Sequence, residues 1–124
     1  MLSNDHFLKE SAQGAPLSSA LMARLTKAAI RVTYRDGELV HARGDAKPGL
    51  SIVHSGAVRF SNPGLDGSVI TTGILNPGQF FGEATLFAGL PRTHDAVAVG
   101  PTVIDQVSKK RFDQVLMKSR GLHE

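Results

Sequence analysis

The chain has 124 residues, 41% of them hydrophobic, and 14 Lys and Arg against 11 Asp and Glu give a formal net charge of +3. This length and apolar content suffice for one compact domain spanning 1–124, and so small a charge does not by itself indicate a nucleic-acid surface. The absence of cysteine excludes disulfides, cysteine zinc sites and thiol nucleophiles, and the lack of a signal peptide or of an apolar run of roughly 20 residues predicts a cytoplasmic protein without a membrane partner.

The first predicted element is a helix. Residues 1–16 are mixed in character and are expected to form an N-terminal extension. After them Leu17, Leu21 and Leu25 recur at every fourth position, which predicts an amphipathic helix over residues 17–29. We expect the leucine stripe to pack against the core, and the alternative is that it fills a groove in a partner.

The long middle segment, residues 31–108, has the pattern of short strands joined by turns. Glycines recur there at intervals of eleven or twelve residues, at positions 44, 56, 67, 78, 89 and 100. β-Branched residues are frequent between them, at 39–40, 51–53, 57–60, 69–71, 96–99 and 103–104. Turn-forming sequences occur at Asn62-Pro63-Gly64, Asp66-Gly67, Asn76-Pro77-Gly78 and Gly100-Pro101. The pattern predicts a mainly β protein, an antiparallel β-roll of the double-stranded β-helix or jelly-roll type with flanking α-helices.

The last predicted element is again a helix, over residues 109–118. Ser108 is a suitable N-cap, and Phe112, Val115 and Leu116 fall on one helical face. The first three residues of the helix are basic. We expect them to form a solvated face, and the alternative is a nucleic-acid patch.

One segment, residues 78–93, interrupts the strand pattern. Gly82 opens a run of helical character from Glu83 to Ala88, which Gly89 closes. A helix N-terminus presents free amide N–H groups, and a glycine there lets an anion approach the backbone closely. Arg92 starts the next strand, and its planar guanidinium suits two phosphate oxygens. The segment therefore predicts a phosphate site.

Two further side chains extend this prediction from a phosphate to a nucleotide. Thr93 adds a hydroxyl and an amide beside Arg92. Glu83 has the wrong charge for phosphate, but its carboxylate suits a sugar hydroxyl, which must donate. An anion site next to a hydroxyl acceptor describes a nucleotide.

The motif Phe81-Gly82-Glu83, with Leu86 and then Pro91-Arg92-Thr93, resembles the phosphate-binding cassette of cyclic-nucleotide-binding domains, here assigned to residues 81–93. The likeness extends over roughly residues 17–118, and the chain resembles the N-terminal sensor domains of Crp/Fnr-type transcriptional regulators.

The resemblance implies a role for five residues. Gly82 and the amides beside it, including that of Ala84, would hold the cyclic phosphate. Glu83 would take the ribose 2′-hydroxyl, and Arg92 and Thr93 would engage the exocyclic phosphate oxygens.

The resemblance also implies a function. The chain would sense cAMP or cGMP without any other cofactor and would signal ligand occupancy to a DNA-binding helix-turn-helix part that is absent from this chain. The long helix that forms the dimer seam in the family would begin only near Leu122, so a homodimer is expected of a full-length parent. No catalytic constellation can be assembled from the spacing of the residues, and we expect no enzyme activity.

Residues 94 and 95 depart from the family pattern. The family usually has small residues where this chain has His94 and Asp95. An Asp there is expected to repel the anion or to pair with Arg92, which would weaken binding by about 1 kcal/mol at a partly exposed site. This departure supports an alternative, a domain that has lost nucleotide affinity and serves as a dimerisation or interaction module. His94 is also a candidate pH-sensitive neighbour of the phosphate.

A more remote alternative is a cupin-like metal protein. His41, His54 and His94 all lie in strand-rich segments, and small β-barrels bind metals through histidines. No His-x-His pair and no i, i+4 pair of histidines occurs in the chain, and we therefore predict no metal site.

Overall fold

The computed structural model describes residues 19–121. Three helices and six strands follow in the order α1 (Ser19–Ala28), β1 (Ile30–Tyr34), β2 (Leu39–His41), β3 (Gly49–Pro63), β4 (Val69–Leu75), β5 (Phe80–Phe81), α2 (Glu83–Ala88), β6 (Asp95–Ser108) and α3 (Lys109–Gly121). The predicted first helix is observed from residue 19, and its first two residues lie outside the described part of the chain, as does the predicted N-terminal extension. None of the described helices is long and apolar enough to cross a membrane.

The six strands form one antiparallel sheet. Its order is β1-β6-β3-β4, while β2 pairs with β6 and β5 pairs with β3. The two long strands β3 and β6 pair over most of their length, from Gly49 opposite Ser108 to Ser61 opposite Asp95. Because these two strands also pair with all the others, they form the framework of the roll. The predicted antiparallel β-roll with flanking helices is confirmed.

Two of the expected turns are bends inside continuous strands. The segments predicted as separate strands on either side of Gly56 belong to one strand, β3, and the segments on either side of Gly100 belong to β6. Both glycines have positive φ, and the β3–β6 register shifts on both sides of Ser55. A Cβ at Gly56 would collide with the backbone of Pro101 and Thr102. Glycine is therefore needed here because the two strands approach each other closely at a bulge, not because the chain reverses.

The turns on either side of β4 do reverse the chain. In the β3–β4 hairpin Gly64 donates its N–H to Ser68 O at 2.6 Å, and the Asp66 carboxylate accepts the Ser68 N–H at 3.0 Å. Before β5, Gln79 donates its N–H to Asn76 O at 3.0 Å. The second turn leads directly into the segment predicted to carry the chemistry.

Two apolar clusters hold the roll. The first joins the helices to the outer face of the sheet and consists of Leu21, Leu25, Leu50, Ile52, Phe80, Leu86, Val107, Phe112, Val115 and Leu116. The second lies inside the roll and consists of Val53, Val58, Phe81, Ala96 and Ile104. The described leucines of the N-terminal stripe and the predicted apolar face of α3 both pack in the first cluster. Leu86 of α2 belongs to the same cluster, which therefore holds α2 in place.

The start of α3 is capped as expected. The Ser108 hydroxyl accepts the N–H of Arg111 at 3.2 Å, which satisfies one of the free donors of the first turn. Lys109, Lys110 and Arg111 are all exposed, and Lys109 pairs with Asp113 at 2.9 Å on the same helix. The basic run is thus a solvent-facing surface of the helix.

Candidate functional site

The site lies where β5 ends and the short helix α2 begins. Gly82 precedes α2 with φ of +100°, and Gly89 closes the helix with φ of +65°. Both conformations favour glycine, since a Cβ would be strained in the left-handed region. A Cβ at Gly82 would also collide with the guanidinium of Arg92 and with Gly49 O. The sequence therefore folds locally so that a bare backbone and an arginine side chain meet at one point.

The buried Thr85 side chain anchors α2 to the start of β3. Its hydroxyl donates to Gly82 O at 2.7 Å, while the Gly49 N–H donates to Thr85 Oγ1 at 3.3 Å. The amide N–H groups of Thr85 and Leu86 donate to Gly82 O. The N–H groups of Glu83 and Ala84 lie before the first helical hydrogen bond and have no acceptor within the helix, as expected at a helix N-terminus.

Arg92 is held by its backbone and left partly unpaired at its side chain. Its N–H donates to Asp45 O and its own carbonyl accepts the N–H of Gly44, both at 2.8 Å, so the β2–β3 loop clamps it. The guanidinium donates from Nη2 to Gly49 O at 3.4 Å, but Nε and Nη1 are buried without a hydrogen-bond partner in the described part of the chain. Burial lowers the pKa of Arg92, an effect that the nearby carboxylates of Asp45 and Glu83 oppose.

Glu83 supplies the complementary acceptor in the same cleft. It stands at the first position of α2, and its Oε2 is buried without a hydrogen-bond partner among residues 19–118. The cleft thus contains two unused donors on Arg92 and one unused acceptor on Glu83. Since an unpaired buried polar atom is costly, this arrangement is complementary to a ligand that both accepts and donates hydrogen bonds.

Four aromatic rings form the apolar wall of the cleft. The Phe60 ring stacks on His94, with centroids 5.6 Å apart and an interplanar angle of 11°. Phe81 meets Phe60 edge to face at 5.3 Å, and His41 lies 5.5 Å from Phe81 and 6.2 Å from Phe60. All four residues line the same cleft as Gly82 and Arg92. An aromatic wall beside a charged corner suits a ligand with an aromatic part.

The structure brings all five predicted site residues together. Gly82, Glu83, Ala84, Arg92 and Thr93 line one cleft. Thr93 is exposed, and its Oγ1 lies 2.8 Å from His94 Nδ1. No sequence pattern predicts the contacts of Thr85 or an aromatic wall, although Phe81 belongs to the motif that opens the phosphate-binding cassette.

Asp95 does not pair with Arg92. Its Oδ1 accepts the backbone N–H of Arg43 at 2.7 Å, and in residues 19–118 the structure contains no Arg92–Asp95 ion pair. The expectation that Asp95 would tie up the arginine is therefore wrong. Asp95 is the first residue of β6 and lies close to the end of β2. Its carboxylate therefore bonds the backbone of the β2–β3 loop at Arg43 instead.

The three histidines of the metal alternative do not converge. His41 and His94 line the cleft, whereas His54 lies outside it. Its Nδ1 is 3.1 Å from Arg31 Nη2 and 3.7 Å from Asp105 Oδ2. Within residues 19–118, no group of three His, Asp or Glu side chains could hold a metal ion.

Known proteins share both the sequence pattern and the fold. The family model described as the cyclic nucleotide-binding domain matches residues 31–119. The chain is 34% identical over 94 residues to the cyclic AMP receptor protein of Thermus thermophilus, an alignment covering 73% of this chain and 44% of that protein. It is also 34% identical over 88 residues to the cAMP-dependent protein kinase regulatory subunit of Yarrowia lipolytica, covering 71% and 22%.

A solved structure agrees. The catabolite activator protein of Thermus thermophilus superposes with a TM-score of 0.74 at 27% identity, over 84% of this chain and 49% of that one. The chain therefore spans less than half the length of the curated relatives and of the solved structure named here. From the matched residues and the shared roll, the chain belongs to the cyclic nucleotide-binding domain family and resembles the sensor domains of Crp-type regulators.

Proposed function

We propose that the cleft binds a 3′,5′-cyclic nucleotide, cAMP or cGMP. The observation that carries the proposal is the set of unpaired buried atoms in one corner, two donors on Arg92 and one acceptor on Glu83. A cyclic phosphate accepts from the guanidinium, and the adjacent ribose 2′-hydroxyl donates to the carboxylate. A simple anion such as inorganic phosphate would satisfy the arginine alone.

Each predicted residue has a defined role in this complex. The backbone at Gly82 and the free amides of Glu83 and Ala84 face the cyclic phosphate, where the positive end of the helix favours the anion. Arg92 binds the exocyclic oxygens with its two unused donors, and Thr93 adds a hydroxyl at the exposed rim. The charge of Arg92 is what stabilises the bound anion most, because it is partly withdrawn from water.

Binding is proposed to act through the rest of a larger regulator in the cytoplasm. The ligand would favour one arrangement of the C-terminal helices over another, and it can shift that equilibrium only by binding one state better. A DNA-binding part and a homodimer seam, as in Crp-type regulators, are part of this proposal. We also propose that the domain binds its ligand without catalysing a reaction.

The interaction-module alternative loses its main support in the structure. It required an arginine neutralised by Asp95, and Asp95 is engaged with the backbone of Arg43. The guanidinium therefore keeps two donors for a ligand.

Calorimetric titration of the purified chain with cAMP and cGMP tests the proposal. We expect saturable 1:1 binding, and Arg92→Ala should weaken it by about 2 to 5 kcal/mol because it removes a charge-assisted contact to the phosphate. Arg35→Ala is the matched control, since it removes the same charge from a residue that does not line the cleft. A parent protein that binds neither nucleotide, or an Arg92→Ala protein that binds as well as the parent, would overturn the assignment.

A further inference from the structure

His41 is a third residue with an unused hydrogen-bonding atom in the cleft. It is the last residue of β2, and its ring is held against Phe81 and Phe60 in the aromatic wall. Its Nδ1 is buried, and no group of the described residues is its hydrogen-bond partner. The proposed contacts to phosphate and ribose do not use this atom.

The surroundings of His41 determine which form the imidazole takes. Burial, followed by the positive charge of Arg92, lowers the pKa of His41 to about 4. A hydrogen bond with the backbone of His94 and the charges of Asp45 and Asp95 act in the opposite direction but do not prevail. His41 is therefore neutral at neutral pH, with one N–H and one bare nitrogen.

The unpaired ring atom indicates which nitrogen is bare. The backbone of His94 raises the pKa of His41, as a group that accepts an imidazole N–H does. Because Nδ1 is the buried atom without a partner, we assign the N–H to Nε2 and the free lone pair to Nδ1. The cleft thus presents a second buried acceptor, separate from Glu83.

We propose that His41 Nδ1 accepts a hydrogen bond from an N–H group of the ligand's base, which makes His41 a specificity-determining residue. The inference rests on the proposed cyclic-nucleotide binding. Arg92 matches the phosphate and Glu83 matches the ribose hydroxyl, so the donor that remains for His41 is on the base. The flat Phe60–His94 pair lines the same cleft and offers the base an aromatic surface.

A base without an N–H group isolates this contact. Purine riboside 3′,5′-cyclic monophosphate has the phosphate, the ribose and a purine ring, but its base has no N–H donor. The better-bound of cAMP and cGMP should bind the parent about tenfold more tightly than this analogue, because a buried acceptor is left unpaired when the donor is absent. Equal affinities in the parent protein alone would overturn the inference.

Variants of His41 assign the preference to this side chain. His41→Leu should bind the analogue and the natural nucleotides with similar affinity. His41→Asn should keep part of the preference, since Asn Oδ1 stands the same number of bonds from Cα as His Nδ1 and also accepts. His54→Leu is the matched control and should keep the full preference, because His54 lies outside the cleft beside Arg31. Circular dichroism of each variant verifies that it is folded.

The outcomes separate the inference from the function on which it rests. A preference unchanged in His41→Leu overturns the inference while cyclic-nucleotide binding stands. If His41→Leu instead removes discrimination against 2′-deoxy-cAMP, the acceptor serves the ribose and the assignment to the base is wrong. If the parent binds no cyclic nucleotide at all, the proposed function falls, and the role of His41 falls with it.

Discussion

The guanidinium of Arg92 occupies the space that a side chain at Gly82 would need. A Cβ built on Gly82 would collide with Arg92 Nη1 and with Gly49 O, and the backbone there has φ of +100°. The glycine is therefore required twice, for its conformation and for its missing side chain. Because the same arginine carries the proposed phosphate contact, the two residues act as one unit.

The first prediction is that Gly82→Ala weakens cyclic-nucleotide binding by at least tenfold. The methyl group must displace Arg92 Nη1, one of its two unpaired donors, from its position beside Gly82. An alanine held at positive φ is strained, which lowers the free energy of unfolding by about 1 to 3 kcal/mol. Calorimetry and thermal unfolding measure the two effects separately.

Gly89→Ala is the control for this substitution. Gly89 also has positive φ, at the other end of the same helix, but no atom of the residues that the structure describes lies within 4 Å of a Cβ there. We expect a smaller loss of stability, from the positive φ alone, with nearly unchanged ligand affinity. If Gly89→Ala weakens binding as much as Gly82→Ala, the collision with Arg92 is not the cause.

The second prediction concerns Asp95, which was expected from the sequence to weaken binding of the anionic ligand. Asp95→Ala should change nucleotide affinity by less than threefold, because the carboxylate is bonded to Arg43 N–H at 2.7 Å and not to Arg92. It should lower the free energy of unfolding by about 1 kcal/mol through loss of that hydrogen bond. Calorimetric titration of the variant and the parent with the same nucleotide measures the difference in affinity. A tenfold gain in affinity of the variant would show that the Asp95 carboxylate repels the bound anion.

Local chemistry explains why much of the site could be predicted from the sequence. Gly82 and Gly89 bound α2 where they were expected to, since helix ends depend on a few neighbouring residues. The same holds for the Ser108 cap of α3. Arg92 could be placed near Gly82 because the intervening segment is short and compact.

The features that were missed depend on partners far apart in the chain. Gly56 has the same positive φ that a turn would give it, and only its contact with Pro101 and Thr102 shows that it marks a bulge. His41 reaches the cleft because β2 pairs with β6 through a register shift between Leu39 and His41. Neither strand pairing nor register is encoded in the residues next to these positions, so no local pattern could reveal them.

The third prediction is a pH dependence of stability that comes from His41. In the unfolded chain a histidine binds its proton near pH 6.5, whereas burial lowers the pKa of His41 to about 4 in the fold. Between these values the unfolded state binds more protons, so stability is full above about pH 6.5 and falls as the pH drops toward 4. Because the side chain is only partly buried, we expect a loss on the order of 1 kcal/mol.

Chemical denaturation gives the free energy of unfolding at pH 7 and at pH 4.5, and the difference between the two values measures this effect. His41→Leu should flatten the pH dependence relative to the parent, because leucine does not titrate. His54→Leu removes a histidine outside the cleft, and its curve should keep the His41 contribution. An identical dependence of stability on pH in the parent and in His41→Leu would mean that His41 has the same pKa in the folded and unfolded chain.

The fourth prediction concerns the ion pair between Arg31 and Asp105. Asp105 is only 2% exposed and accepts from Arg31 Nε at 2.9 Å and from Nη2 at 3.3 Å, and this contact raises the pKa of Arg31. Arg31→Met should lower the melting temperature by several degrees, because it leaves a buried carboxylate without its donors.

Adding Asp105→Leu to Arg31→Met should recover part of that loss, since the unpaired charge is then gone. The melting temperatures of the two single variants and the double variant complete the thermodynamic cycle. Strictly additive losses would contradict the prediction, because they would mean that the two side chains contribute to stability independently despite their contact. Nucleotide affinity should stay unchanged in all three proteins, since neither residue lines the cleft.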